Sequence, residues 1–449
     1  MLLSFEIKEV QKLIKIALPI LGSGLGQSLF AIIDSMLVGQ ILGTTGLAAL
    51  AIGNSFFFVI LFLGIGASSV FAPVYASIKA VNDTQKVKKI FKNALFFKII
   101  VATAIVILSF LLIPLLKNLK KSEMIIEMAI EYAYLRTWNV YFLMIFLALK
   151  RLSEGLQRTK YIFYTVFIAC GINIFLNYVL IDGKWFFPAL GLKGTAWALM
   201  FTGLTEITSL FFFLYKDQAC RWVFRDFFKE KLKFVNLFEF SSLAIPSGIY
   251  GFLEASIFYI GTFIIAVIDN RLTAVHYINI HIMALLFRFL YAFSVAHTVL
   301  SGHYFGLKDF KKIKQLIKIS GTLLGFILFI SAFVFLPFRE QWVLLFAKNK
   351  DAQDLINIAT QVIWIAWVLK IFDAGQLLFN GTLRALQWTK PQIFNSFFAY
   401  FLIGILGAYY FGIIKNGGIL AIWSMLCLAM FFSMCLSGFF CFYRLKKYL

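Results

Sequence analysis

Between short polar breaks, this chain repeatedly runs through apolar stretches of about 20 residues or more, the length an α-helix needs to cross a hydrocarbon layer roughly 30 Å thick. About 12 such stretches can be read along its 449 residues, which leaves no room for a separate water-soluble domain. The composition agrees: 61% of residues are hydrophobic and 14% charged, with a mean hydropathy of +0.88, too little polar surface for a soluble globule of this size. The expectation is an all-α integral membrane protein of 12 transmembrane helices, with the lipid bilayer as its solvent. The opening MLLSFEIKEVQKLIK mixes acids with bases and lacks a small-residue cleavage site, so it reads as a retained first helix.

A formal charge of +21 would suggest a polyanionic partner in a soluble protein, but here the basic residues sort by loop. With a cytoplasmic N-terminus, the inner loops hold Lys86, Lys88, Lys89 and Lys92, then Lys150, Arg151, Arg158 and Lys160, then Lys308, Lys311, Lys312 and Lys314, and finally Arg444, Lys446 and Lys447. This is the positive-inside asymmetry, so the charge reports topology, with both termini cytoplasmic, and no nucleic-acid partner is expected. The five cysteines lie in or beside apolar spans, except Cys220 in a basic loop, and none is placed for an external disulfide.

The chain repeats itself. Pro19 in IALPILGSG returns as Pro246 in LAIPSGIYG, Gly155 and Arg158 in GLQR as Gly381 and Arg384 in GTLR, and Trp197 in GLKGTAW as Trp423 in NGGILAIW, all at a spacing of roughly 226. Six spans return the chain to its starting side, so the expected plan is two six-helix bundles, residues 1–215 and 241–449, related by a pseudo-twofold axis along the membrane normal. Transporters of this plan bind their substrates between the halves. The connection, 216–240, places Arg221, Arg225 and Lys229 on one helical face with Trp222, Val223, Phe227 and Phe234 largely elsewhere, the pattern of an amphipathic helix on the inner leaflet.

Against this background the intramembrane acids Asp34, Glu254 and Asp373 stand out. A charge at the bilayer centre costs about 2.5–3.5 kcal/mol on insertion scales, so such groups face cavities and handle ions, protons or substrates. Ser23, Gln27 and Asp34 share one face of the first span, where Pro19 removes a backbone hydrogen bond and permits a bend. Asn173 and Asn177 lie one turn apart in the fifth span, on a face that could meet Asp34; with it they would form a proton relay or small-cation site, or serve only as interhelical glue.

In the second half, Lys370, Asp373, Gln376 and Asn380 form a stripe in the tenth span, and Tyr250 precedes Glu254 by one turn in the seventh. Two carboxylates converging in a low dielectric need a cation or proton between them. The eighth span supplies His281 and Arg288, two turns apart, so the C-terminal half holds either a cation site or a salt-bridge cluster built from Glu254, Asp373, Arg288, Lys370 and His281. The repeat spacing maps Glu254 onto Gln27, Asp34 onto Gly261 and Asp373 near Leu147, so the acids are not symmetry mates. His276, His297 and His303 lack neighbours at metal spacing, and no nucleotide loop, zinc motif or nucleophile elbow appears; neither a cofactor nor an enzymatic activity is expected.

With these residues in view, the chain resembles the multidrug and toxic compound extrusion family, in its NorM-like branch, over nearly its whole length. ALPILGSGLGQSLFAIIDSMLVGQILGTTGLAAL is similar to that family's first helix, EGLQRTKYIFYTVFIACGINIFLNYVLI with GLKGTAWA to its fifth and sixth, AVHYINIHIMALLFRFLYAFSVAHTVLSGHYFG to its eighth, and FDAGQLLFNGTLRALQWTKP to its tenth. The resemblance implies an antiporter of the plasma (inner) membrane, in which inward H⁺ or Na⁺ drives export of small organic compounds by alternating access. It puts Asp34 on the family's N-half acid, with Asn173 and Asn177 on its polar pair, and Glu254 and Asp373 on the C-half acids. It also marks departures: Leu369 stands where a tyrosine is frequent, and Arg288 and His281 stand where apolar or small polar residues are. A flippase of lipid-linked saccharides with a related fold is the alternative, followed by a channel or a membrane-embedded enzyme. One chain supplies both bundles, so a monomer is expected.

Overall fold

The computed structural model describes residues 2–118, 122–185, 187–225, 234–344 and 353–448, and these are almost entirely helical. Apolar side chains on all faces and the absence of water as a backbone partner leave the α-helix as the form that satisfies each N–H and C=O internally. The long helices are α1 (Leu2–Ser68), α2 (Phe71–Ala80), α3 (Thr84–Leu112), α4 (Glu123–Gly155), α5 (Lys160–Asp182), α6 (Leu192–Lys216), α7 (Phe234–Ile268), α8 (Asn270–Gly306), α9 (Phe310–Phe335), α10 (Gln353–Ala385), α11 (Lys390–Ile414) and α12 (Gly418–Lys446).

α1 holds the first crossing, Glu6–Gly43, and begins the second, Ile60–Ala80, which α2 completes. Gly43 separates the two crossings, at φ 67° and ψ −164°, a conformation that a Cβ would penalise. Pro19 leaves helical geometry intact; Gly43 is where α1 departs from it. Among the described residues, 11 helical segments are long and apolar enough to span a bilayer. α4 makes the twelfth by length, about 50 Å at 1.5 Å per residue, although Arg136, Thr137 and Asn139 interrupt its apolar middle.

The chain divides into two compact units, Gly22–Ala244 on the one hand and Met1–Leu21 with Ile245–Leu449 on the other. The opening of α1 thus clusters with the C-terminal half, although the span that it begins continues in the other unit. In the unit Gly22–Ala244, α6 packs against α4 and α5, and α3 against α4. Its largest apolar core gathers Phe71, Tyr75, Phe91, Phe97, Phe146 and Leu152. In the other unit, α10 is the central helix, packed against α8 and α12. The amphipathic helix expected over 216–240 falls partly outside the described residues. Within them, a short helix Gln218–Arg221 is followed by Val223, fully buried in the same core, and by Phe224, edge-on to Phe91 and Phe211 at centroid distances of 5.8 and 5.0 Å.

The repeat is visible in the backbone. α3 and α9 both begin after an aspartate that caps the helix: Lys86 N–H donates to Asp83 Oδ1 at 2.9 Å and Lys312 N–H to Asp309 Oδ1 at 3.1 Å. Just before each cap sits a residue with positive φ, Asn82 and Lys308. α4 and α10 also end alike, with positive φ at Gln157 and Gln387. The following amides turn back onto the helix, Arg158 N–H to Ser153 O at 2.8 Å and Trp388 N–H to Leu383 O at 3.0 Å, as in a Schellman closure. These bonds make Arg158 the counterpart of Trp388 and Gly155 that of Ala385. The pairing of Gly155 and Arg158 with Gly381 and Arg384 is therefore corrected: the sequence match is one helical turn out of register with the turn that ends the helix. The mapping of Asp373 near Leu147 carries the same displacement.

Candidate ion-coupling sites

In the unit Gly22–Ala244 the site starts from the close approach of α1 and α5. A Cβ on Gly22 would lie 2.6 Å from the Phe163 ring, and one on Gly26 3.2 Å from Val166, so these glycines let the helices run together. Further along the same pair, Asp34 is 6% exposed and accepts a hydrogen bond at Oδ1 from Asn177 Nδ2, 2.8 Å away. Asn173 and Asn177 are both fully buried. Asn177 Nδ2 is also 3.0 Å from the carbonyl oxygen of Asn173 and 3.2 Å from its Oδ1, while Asn173 Nδ2 donates to Thr202 Oγ1 at 3.1 Å. Asn177 Oδ1 is buried and has no hydrogen-bond partner among the described residues. A buried carboxylate beside an unused amide oxygen offers acceptors only, the composition that receives a proton donor or a small hard cation. Gln27 is half-buried and is not among the partners of Asp34.

A further buried polar group of this unit lies on α4 and was not foreseen. Tyr132 is buried and donates to Asn54 Oδ1 at 2.9 Å. Arg136, one turn later and 7% exposed, lies with its guanidinium 4.5 Å from the Phe57 ring centre. Tyr132 and Arg136, one turn apart inside an apolar span, were the available signal.

In the other unit the tenth-span stripe closes on itself. Lys370 Nζ is 2.6 Å from Asp373 Oδ2, with the two side chains 9% and 2% exposed. Gln376 Nε2 donates to both acids, to Asp373 Oδ1 at 3.0 Å and to Glu254 Oε1 at 2.6 Å, which spends its two hydrogens. Its Oε1 accepts from Tyr250. The expected convergence of Glu254 and Asp373 is present, bridged by an amide, and Lys370 is the cation paired with one of them. Arg288 and His281 stand apart. Arg288 is half-buried and forms no ion pair with either acid among the described residues, and His281 is exposed and stacked on Tyr277 at 6.3 Å. Helical period put them on one face of their own span; it does not fix which neighbour that face meets.

From Tyr250 the network continues through Asn380, the last member of the tenth-span stripe, to groups that the sequence did not single out. Asn380 Nδ2 donates to Tyr250 at 3.0 Å and to Ser437 Oγ at 2.7 Å, Gln392 Nε2 donates to Asn380 Oδ1 at 3.2 Å, and Ser247 donates to Gln392 Oε1 at 2.6 Å. Tyr400 joins from α11, its hydroxyl 2.6 Å from that of Tyr250 and 2.9 Å from Ser433. The backbone around Tyr400 follows wide π-type turns from Ser396 to Leu406, a geometry that often marks functional stretches of a helix.

Two buried polar constellations among twelve bilayer-length helices define a membrane transporter. The MatE family model matches residues 19–179 and again residues 246–410, one copy in each half, and the chain belongs to the MatE family. It is 27% identical over 429 residues to the probable multidrug resistance protein NorM of Photorhabdus laumondii, covering 94% of this chain and 93% of that one. It is 24% identical over 408 residues to the multidrug resistance protein NorM of Vibrio cholerae, covering 90% and 88%. Among solved structures, the eukaryotic MATE transporter AtDTX14 superposes with a TM-score of 0.88 at 17% identity, over 99% of this chain and 98% of that one. An outward-facing multidrug resistance MATE transporter of the MOP superfamily gives 0.85 at 16%, over 98% and 96%. The chain is a transporter and not an enzyme.

Proposed function

We propose that this protein is a secondary antiporter of the cell's inner membrane that exports small organic compounds in exchange for a cation, H⁺ or Na⁺, taken up at Asp34. The observation that carries the reading is the buried hydrogen bond between Asp34 and Asn177, beside an Asn177 oxygen with no partner. A cation arriving there neutralises the carboxylate and satisfies that oxygen, which changes how α1 and α5 hold together. Differential affinity of this kind is what lets an ion gradient shift a two-state transporter. Asn173 and Thr202 hold Asn177 in place, and Pro19 gives α1 a point of compliance. The relatives' names, multidrug resistance proteins, support organic substrates of varied structure.

The C-terminal unit takes a different part. Lys370 occupies the side of Asp373 that an external cation would use, so this unit carries its counter-charge within the chain, and among the described residues Glu254 is the acid of the two with no ion pair of its own. The two bundles in one chain support a monomer, and the basic inner loops support cytoplasmic termini.

The test is transport in proteoliposomes under a Na⁺ gradient and, separately, a pH gradient, using the wild-type chain, Asp34→Asn and Glu254→Gln. Loss of gradient-driven export in Asp34→Asn, with insertion and folding retained, supports the reading. Undiminished export by both variants under both gradients would remove it.

A further inference from the structure

The repeat sets α6 against α12, and the two helices end differently. At the end of α6, Arg158 Nε is 3.0 Å from Asp217 Oδ2, and the Tyr161 hydroxyl donates to the same oxygen at 3.1 Å. Arg158 is the counterpart of Trp388, and the spacing of 226 that relates Trp197 to Trp423 sets Tyr443 opposite Asp217. Where the first unit has an ion pair, the second therefore has two rings, Trp388 and Tyr443, 6.3 Å apart. The cation is still there without its acid. Half-buried Arg444 lies with its guanidinium 5.2 Å from the Trp388 ring centre and 5.1 Å from that of Tyr448, which is stacked in turn on Phe310 at 4.4 Å. The rings fix the position of the charge, yet among the described residues no carboxylate pairs with Arg444, and its Nε is enclosed without an acceptor. Lys447, exposed and one turn on, lies 4.8 Å from the Tyr443 ring. Residues three apart share a helix face, so two cations stand together where the span Gly418–Lys446 leaves the bilayer.

Below them an aromatic strip follows the seam of α11 and α12. Phe440 lies 6.0 Å from Trp388 and 6.3 Å from Phe394, and Phe398 lies 6.1 Å from Phe394 and 6.3 Å from Phe432. Phe394 is 55% and Phe398 38% exposed, so the strip is open to the hydrocarbon. Arg444 stands twelve residues beyond Phe432, about 18 Å along the helix, close to the roughly 15 Å depth of one leaflet.

We propose that this end of α12 is a binding site for one anionic phospholipid, whose phosphate takes the place that Asp217 holds in the first unit while an acyl chain lies along the aromatic strip. A guanidinium beside an ammonium suits phosphate oxygens, and basic groups at the bilayer surface draw anionic headgroups. A zwitterionic lipid brings its own ammonium against Lys447, and a soluble anion leaves the strip uncovered. Neither Asp34 nor Glu254 takes part, so the site is the same whichever ion is exchanged.

Dioleoyl phosphatidylglycerol and dioleoyl phosphatidylcholine share their chains and differ in net charge. Binding of each to the purified full-length protein is read by native mass spectrometry, for the wild-type chain, Arg444→Gln, Lys447→Gln, Phe394→Ala and Lys86→Gln, the last an exposed cation of the other unit. The wild-type chain is expected to favour phosphatidylglycerol by about tenfold or more, the ratio that two basic groups at a membrane surface supply. Arg444→Gln is expected to erase most of that preference, Lys447→Gln part of it and Lys86→Gln none, while Phe394→Ala weakens both lipids alike. Absence of a preference in the wild-type chain, or equal losses from Arg444→Gln and Lys86→Gln, overturns the proposal and leaves only general surface charge. Should Arg444→Gln fail to fold, the exposed Lys447 decides, and an unchanged preference in Lys447→Gln overturns it. Unchanged binding of both lipids by Phe394→Ala overturns the place given to the acyl chain. Glycerol 3-phosphate in hundredfold excess is expected not to displace phosphatidylglycerol; displacement would make the site one for a soluble phosphate.

Discussion

Replacing Lys370 with methionine isolates what the internal ion pair contributes. The side chain has the right length to fill the space against Phe287 and Phe258, whose ring centres lie 4.9 and 5.9 Å from Nζ. What is lost is the partner at 2.6 Å of a carboxylate that is 1% exposed. Asp373 keeps one bond, from Gln376 Nε2 at 3.0 Å, which cannot offset the missing charge. Breaking a buried pair from one side costs about 3–5 kcal/mol. At about 2–4 °C per kcal/mol for a unit of this size, thermal unfolding in detergent should move down by roughly 6–20 °C. Asp373→Asn alone strands the ammonium and should cost a similar amount. The double variant Lys370→Met/Asp373→Asn removes both charges and keeps an acceptor for Gln376, so most of the loss should return, a coupling of about 2–4 kcal/mol between the sites. If the double variant is destabilised by the sum of the two single losses, the pair is not the interaction that holds this part of α10, and the assignment of Lys370 as a resident counter-cation goes with it.

Leucine in place of Asn177 removes the donor to Asp34 and should cut export by about tenfold or more in proteoliposomes while leaving Tm within a few degrees; unchanged export would detach Asn177 from coupling. Gly155→Ala puts a methyl 2.6 Å from both Ala72 O and Tyr75 Cβ and should cost about 1–3 kcal/mol, whereas Gly171→Ala meets nothing within 4 Å and should be neutral or stabilising by up to about 1 kcal/mol; the ranking of their melting temperatures checks both. Asp309→Ala should cost about 1 kcal/mol as a lost helix cap. Partial burial alone would raise the Asp309 carboxyl, but the hydrogen bonds from Lys312 and the charges of Lys312 and Lys311 outweigh it and hold it below the usual range. Its contribution is therefore complete above the ordinary carboxylate value and fades as pH falls through the lowered one, so the gap in Tm between Asp309→Ala and wild type should close at acid pH; a gap that widens there would contradict the sign.

The spans were legible because bilayer crossing imposes a length and a polarity that few other structures share. Asp34, Asn173 and Asn177 were legible for a related reason: each is costly in lipid, and positions four apart must share a face. The helical period gives the face but not its rotation against neighbouring helices, which is why Arg288 was drawn to acids with which it forms no ion pair among the described residues, while Lys370, on the same turn as Asp373, was assigned its partner. Ser247, Ser433 and Ser437 gave no signal, because a serine can satisfy its hydroxyl on its own helix and sits in apolar spans without consequence. Gln392 and Tyr400 lie beside or within the π-type turns of α11, whose extra residue per turn defeats the four-residue rule by which such side chains would be grouped. The repeat was clear in its landmarks and wrong by one turn at the end of α10, since two Arg and Gly matches weigh more in a sequence than the turn geometry that fixes register.

The division of the chain at Leu21 and Gly22 bears on how it is made. A ribosome delivers residues 22–244 as one uninterrupted stretch, so that unit has all its parts before the other can begin to close. The first 21 residues belong to the unit that is finished last and must wait through more than half of synthesis for the helices they pack with. Glu9, 1% exposed yet at the start of the chain, is held for that meeting, and its Oε2 still lacks a partner among the described residues when it is over. A nascent chain arrested near residue 260 should therefore protect residues 22–244 from protease while leaving the opening helix open to cleavage, and release of the full chain should close it.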